Sequence, residues 1–210
     1  MDARTTPRPS RPPDGDFSPF YPASSFVGAV RRVTLRPGGF FAAIPRRGNP
    51  TAPVLFALIG LEISMMLRGL LRLTGAGPEQ EFGAFVGRVL LAPVVGILAL
   101  LVGTVVLHLL VRMFVGKGNS GFEATLRVHS YAWVTNLVAW IPVVGSLLSL
   151  YAVYLAFVGI REVHETTSGK TALVVLIPVG AVLLLALLAL ITLGDVPWRS
   201  CRRSRGMPTS

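Results

Sequence analysis

The chain is 210 residues long, 52% hydrophobic and only 14% charged, with a net charge of +10. Soluble domains carry about 25% charged residues, so this balance excludes an ordinary soluble fold and points to a surface that meets lipid. The surplus arginines lie in the tails and beside apolar runs, which favours anionic lipid head groups as their counterpart and argues against nucleic acid.

Residues 1–23 are rich in Pro and Arg and predict a disordered cytoplasmic tail. Met1 to Pro22 has no apolar h-region, so no cleavable signal is expected. Residues 24–52 mix Phe26, Val27, Val30, Val33, Phe40, Phe41 and Ile44 with Arg31, Arg32, Arg36, Arg46 and Arg47. That composition predicts an amphipathic segment on the membrane surface, with apolar side chains at the interface and arginines at phosphates.

Residues 53–195 predict a transmembrane domain of five helices. The first runs from about Pro53 to Leu73 and carries Glu62, Arg68 and Arg72. The second, Val89 to Val111, has no formal charge. Val128 to Ile160 is also free of formal charge, and a continuous helix of that length would be about 50 Å long against a hydrocarbon core of about 30 Å. Pro142 and Gly145 interrupt it, so it reads as a tight hairpin joining the third and fourth helices. The fifth covers about Ala172 to Leu193. Residues 196–210 form a basic tail containing Cys201, whose solitude excludes an intramolecular disulfide or a Cys-rich metal site. The expected fold class is therefore all-α and polytopic.

With the N-terminus in the cytoplasm, thirteen Lys and Arg fall inside and seven outside, which sets the expected orientation. The basic C-terminal tail, placed outside by five crossings, is the one feature that opposes it. The expected location is the inner, cytoplasmic membrane.

Gly116-Lys117-Gly118-Asn119-Ser120-Gly121 matches G-x-G-x-x-G, but a membrane span precedes it in place of a strand. It reads as a polar turn, and no cofactor is expected. Glu62 and Asn136 are candidate intramembrane polar groups, because ionisable and polar side chains are expensive in lipid. The threading gathers His108, His129 and His164 at one side, beside Glu123, Glu162 and Glu165. No pair has a tight metal-binding spacing, so a polar cluster tying helix ends together is the expectation. No nucleophile and base, or paired carboxylates, stand at a catalytic spacing.

Several stretches, in order, resemble the Yip (Ypt/Rab-interacting protein) family of integral membrane proteins in its prokaryotic form. They are Arg36-Pro37-Gly38-Gly39-Phe40-Phe41, Pro53-Val54-Leu55-Phe56-Ala57-Leu58, His108, Gly121-Phe122-Glu123-Ala124-Thr125 and Tyr131. Ile141-Pro142-Val143-Val144-Gly145, Gly159-Ile160-Arg161-Glu162-Val163-His164 and Gly169-Lys170-Thr171-Ala172 complete the match. The resemblance implies five spans, a cytoplasmic N-terminus and an extracytoplasmic C-terminus. Eukaryotic relatives are associated with Rab-type GTPases and vesicle traffic. The Arg-rich, Lys-poor usage here is bacterial in character, so that pathway is not carried over.

The leading expectation is a non-enzymatic membrane protein that organises partner proteins or lipids. His108, Glu123, Tyr131, Arg161 and His164 are its candidate contact residues, and a homo-oligomer is possible. The alternative is a small transporter or channel with a polar path lined by Glu62, Asn136 and His108.

Overall fold

The computed structural model describes residues 16–75 and 81–194, and every regular element among them is helical. Expectations for residues 1–15 and 196–210, including Cys201, lie outside the described residues. Helices α1 (Pro22–Leu35) and α2 (Pro37–Ala43) each open on a proline, whose fixed φ and missing N–H suit a first helical turn. Pro37 also sets the break between them by forcing Arg36 to an extended φ of −141°.

Four of the described helices are long and apolar enough to cross a membrane. They are α3 (Thr51–Leu73), α4 (Phe82–Phe114), α6 (Pro142–Val163) and α7 (Ser168–Gly194). Helix α3 starts where Asn49 accepts a hydrogen bond from the Thr51 amide at 2.9 Å. The ends where α3 begins and α4 and α6 finish lie together, and are called the near end below. The second half of α7 exposes almost every side chain from Val182 to Ile191, as a lipid-facing helix must.

The expected third span differs from its sequence reading. Its helix begins six residues before Val128, as α5 (Phe122–Ala132), and tightens into a 3₁₀ stretch at Trp133–Val138. It is not among the four span-length helices. Trp133-Val134-Thr135-Asn136 is a run of weak helix formers, and the 3₁₀ form covers more distance per residue. Laid end to end, 11 α-helical and 6 3₁₀ residues extend about 28 Å.

Contacts fix how this divided element runs. The Phe56 and Tyr131 rings are 4.9 Å apart, a Cβ on Gly60 would lie 3.6 Å from Leu137, and Arg68 donates to the Ala139 carbonyl. It therefore runs parallel to α3. On its other side, Gly145 packs on Ala139, Gly159 on Val128, and His164 on Thr125. Helix α6 is thus antiparallel to it, and α5 is enclosed: eight of its eleven residues are buried.

The residues before α3 are tucked into the bundle. Residues 16–23, read from sequence as part of a disordered tail, include Phe17 at 3% exposure, packed against Phe26 and Phe56. Val33, Phe40, Phe41 and Ile44 join the same core as Tyr131, Leu155 and Ile160. The Thr34 carbonyl accepts a hydrogen bond from Tyr151 at 2.5 Å, Phe41 packs at Gly159, and Arg46 pairs with Glu165. So α1 and α2 form a helical hairpin whose tip reaches Tyr151, about 18 Å from the near end of α6.

Gly159 permits this close approach, because an added Cβ would sit 2.5 Å from Val128 Cγ1 and 3.1 Å from the Phe41 ring. Val128 is stiff and fully buried. Gly159→Leu is expected to overpack the core by at least about 1–3 kcal/mol. The thermal midpoint in detergent should fall and α2 should become protease-sensitive. An unchanged midpoint would mean that α2 does not pack on α6 as described.

Candidate functional site

Polar chemistry concentrates at the near end in two networks, both centred on α5. The first is a chain through two histidines. The Ser120 amide donates to His164 Nδ1 at 3.0 Å, which places the proton of the neutral ring on Nε2. That nitrogen lies 3.1 Å from Thr125 Oγ1 and donates to it. The threonine hydroxyl then directs its own proton to the nearer of its two acceptors, His108 Nδ1 at 3.0 Å in preference to the Gly121 carbonyl at 3.4 Å. Ser120 Oγ also donates to the Val163 carbonyl at 2.6 Å, tying the turn after α4 to the end of α6.

His164 is 2% exposed. Burial, and then the positive fields of His108 and Arg46, lower its imidazole to about 4. The neutral ring that the hydrogen bonds require is therefore the form present near neutral pH.

The second network surrounds Arg127, whose side chain is 2% exposed. Its guanidinium donates to Asp16 at 3.3 Å, to Glu123 at 3.2 Å and to the Asn49 carbonyl at 3.1 Å. Tyr131 donates to Asp16 and accepts from the Phe17 amide at 3.2 Å. One carboxylate in the N-terminal segment thus binds two α5 side chains. Gly48, with φ at +139°, brings the backbone close enough that a Cβ would be 3.2 Å from the guanidinium.

Of the candidate contact residues, Tyr131 and His164 are buried and serve these networks from within. Glu123 and Arg161 are half-buried at the surface, with Arg161 paired to Glu162 at 2.6 Å. His129 is tied elsewhere. Trp133 donates to its Nε2 at 3.2 Å, so its Nδ1–H donates to Thr104 Oγ1 at 3.0 Å, and Thr104 passes its proton to the Leu100 carbonyl. Gly103 leaves room for that ring, since a Cβ would be 2.4 Å from it. The expected joining of three histidine-bearing ends is thus divided: His108 meets His164 through Thr125, and His129 is separate.

Glu62 has one carboxylate oxygen buried without a hydrogen-bond partner among the described residues. Asn136 is half-buried in the 3₁₀ stretch. The Gly60–Leu137 contact puts Glu62 and Asn136 at similar depth, whereas Thr125, the partner of His108, is about 18 Å from Asn136 along the chain axis. Among the described residues no group of three His, Cys, Asp or Glu could hold a metal ion.

Thr125, Ser120, Asp16 and Arg127 were not singled out by sequence. Thr125 and Ser120 are small and common, and Asp16 lies in a Pro-rich stretch. The spacing Glu123-x-x-x-Arg127, an ion-pair register on a helix face, was the available signal.

The sequence model of the Yip1 domain matches residues 31–191, from within α1 to the end of α7. The chain belongs to that family, and it is a multi-pass membrane protein. No curated protein and no solved structure matches it at a significant level.

Two outcomes test this geometry. Arg127→Met leaves Asp16 and Glu123 without their shared cation and is expected to cost about 3–5 kcal/mol, as breaking a buried pair does. Limited proteolysis should then cut ahead of α3. His164 binds its proton with an ordinary pKa of about 6.5 when unfolded and about 4 when folded. The unfolded chain therefore holds more protons between those values. Stability contributed by the neutral ring is full above pH 6.5 and is lost as pH falls towards 4, by up to about 1.4 kcal/mol per unit. His164→Asn keeps an acceptor for Ser120 without titrating, so it should flatten thermal midpoints measured across that window.

Proposed function

We propose that this Yip1-domain protein is a non-enzymatic organiser of anionic lipids, and through them of partner proteins, at the cytoplasmic membrane. It crosses the bilayer five times with the near end in the cytoplasm. The positive-inside count supports that orientation. The divided α5 element supports the fifth crossing, because its length of about 28 Å approaches the hydrocarbon thickness. Ala139 to Pro142 then forms the hairpin turn into α6.

The observation that carries the proposal is the outer surface of α1. The helix buries Ala29 and Val33 inward and turns Val27 and Leu35 outward, at 66% and 68% exposure, beside exposed Arg31, Arg32 and Arg36. Phe20 and Tyr21, just ahead, are also exposed. Exposed apolar side chains interleaved with guanidinium groups suit the head-group region of a bilayer. The hairpin carries the arginines down to the level of Tyr151. Arginines at such depth keep head groups and water with them, thinning the leaflet locally. Of the polar residues at the near end, His108, Glu123 and Arg161 would meet partners, with Tyr131 and His164 supporting them from beneath.

A polar transport path is the second reading, favoured by the unpartnered Glu62 oxygen. It requires solute or proton flux in reconstituted vesicles that Glu62→Gln abolishes.

The organiser reading makes two demands. Arg31→Gln, Arg32→Gln and Arg36→Gln together should lower the phosphatidylglycerol that copurifies with the protein while insertion is unaffected, and an unchanged lipid ratio removes the proposal. Single cysteines at Ser120 and Ser168 should both be labelled from the cytoplasm, since labelling from opposite sides is incompatible with five crossings.

A further inference from the structure

At the near end, the last turn of α4 and the glycine-rich turn after it enclose an open cup of about 360 Å³. His108, Arg112, Gly116, Lys117 and Asn119 line it. We propose that this cup is a binding site for a phosphate group.

The lining supplies three kinds of donor and no carboxylate. Arg112 follows His108 by one helical turn and shares its face. Its guanidinium fork matches phosphate oxygens, and the Lys117 ammonium adds a second fixed positive charge. Both side chains are exposed. The turn that presents Lys117 is held by Asn119, which donates to the Gly116 carbonyl at 2.6 Å and accepts from the Gly121 amide at 2.9 Å. Gly116 and Gly121 take φ values of +80° and +95°, which favour glycine. So the G-x-G-x-x-G stretch acts here as a shaped wall, without a preceding strand.

His108 is the preorganised donor. The chain from the Ser120 amide through His164 and Thr125 ends on His108 Nδ1, making that atom an acceptor. The ring proton is therefore on Nε2, the nitrogen left for the cup. Phe122 packs edge-on to the ring at 5.5 Å and holds its plane. One oriented imidazole donor beside two cationic side chains suits the several acceptor oxygens of a phosphate, and the volume leaves room for the group esterified to it. Thr125 and His164 act as positioning residues, setting the tautomer without touching the ligand.

The phosphate could belong to a soluble ion or ester, or to a lipid head group. Calorimetric titration of the full chain in neutral detergent separates these. The ligands are inorganic phosphate, dihexanoyl phosphatidylglycerol, and dihexanoyl glycerol as the phosphate-free control. Binding of inorganic phosphate identifies a soluble source, and binding of the phospholipid alone identifies a head group; either supports the site. Arg112→Gln with Lys117→Gln should weaken binding at least about tenfold, the size of a lost hydrogen bond to a charged group. Thr125→Val should weaken it and shift the His108 imidazole ¹⁵N resonances, with Thr125→Ser restoring both. Arg31→Gln, Arg32→Gln and Arg36→Gln lie outside the cup and should leave binding unchanged, whatever becomes of the α1 lipid surface. Binding of neither phosphate ligand, equal binding of dihexanoyl glycerol, or full affinity in the Arg112/Lys117 variant would overturn the proposal.

Discussion

A single guanidinium sets the terms for the near end of this protein. Arg127 lies in an enclosed helix, where an unpaired charge would cost several kcal/mol. Its partners come from three places: Glu123 one turn earlier, the Asn49 carbonyl just before α3, and Asp16 far upstream. Satisfying Arg127 therefore requires the N-terminal segment to be in position. With Asp16 also bound by Tyr131, Phe17 enters the core and the α1–α2 hairpin is held along the bundle.

The histidines follow the same rule with neutral groups. Each of His108, His129 and His164 meets a threonine hydroxyl, which can accept from one partner while donating to another. Backbone or indole N–H donors settle the tautomers of His164 and His129, and Thr125 carries the choice on to His108. Such closed chains place polar atoms inside an apolar bundle without leaving a charge to desolvate. They also give the near end a defined pattern of donors, in contrast to the aliphatic far half of α7.

This asymmetry gives physical content to membership of the Yip1 domain family. The described core contains Phe17, Phe40, Phe41, Phe56 and Tyr131, all gathered where the N-terminal hairpin meets α3, α5 and α6. Elsewhere, α4 and α7 present long aliphatic faces and few packed layers. Among the described residues the architecture is a polar, aromatic-rich near end on an apolar stem.

Local composition alone determined that the chain is helical and membrane-embedded, and where α3, α4, α6 and α7 run, because hydropathy and helix length are sums over neighbouring residues. Pro142 was legible as a break, and the structure shows that it opens α6 as Pro22 and Pro37 open α1 and α2. The same reading started the third apolar stretch at Val128, after the charge of Arg127, whereas the helix begins at Phe122 and the remote partners of Arg127 let that charge lie inside it. Tertiary structure decided which polar groups meet. Asp16 and Arg127 are 111 positions apart, and Thr125 and His164 are 39 apart. A buried hydrogen bond is selected by the three-dimensional packing that excludes water around both partners, and that packing leaves no periodic trace along the chain.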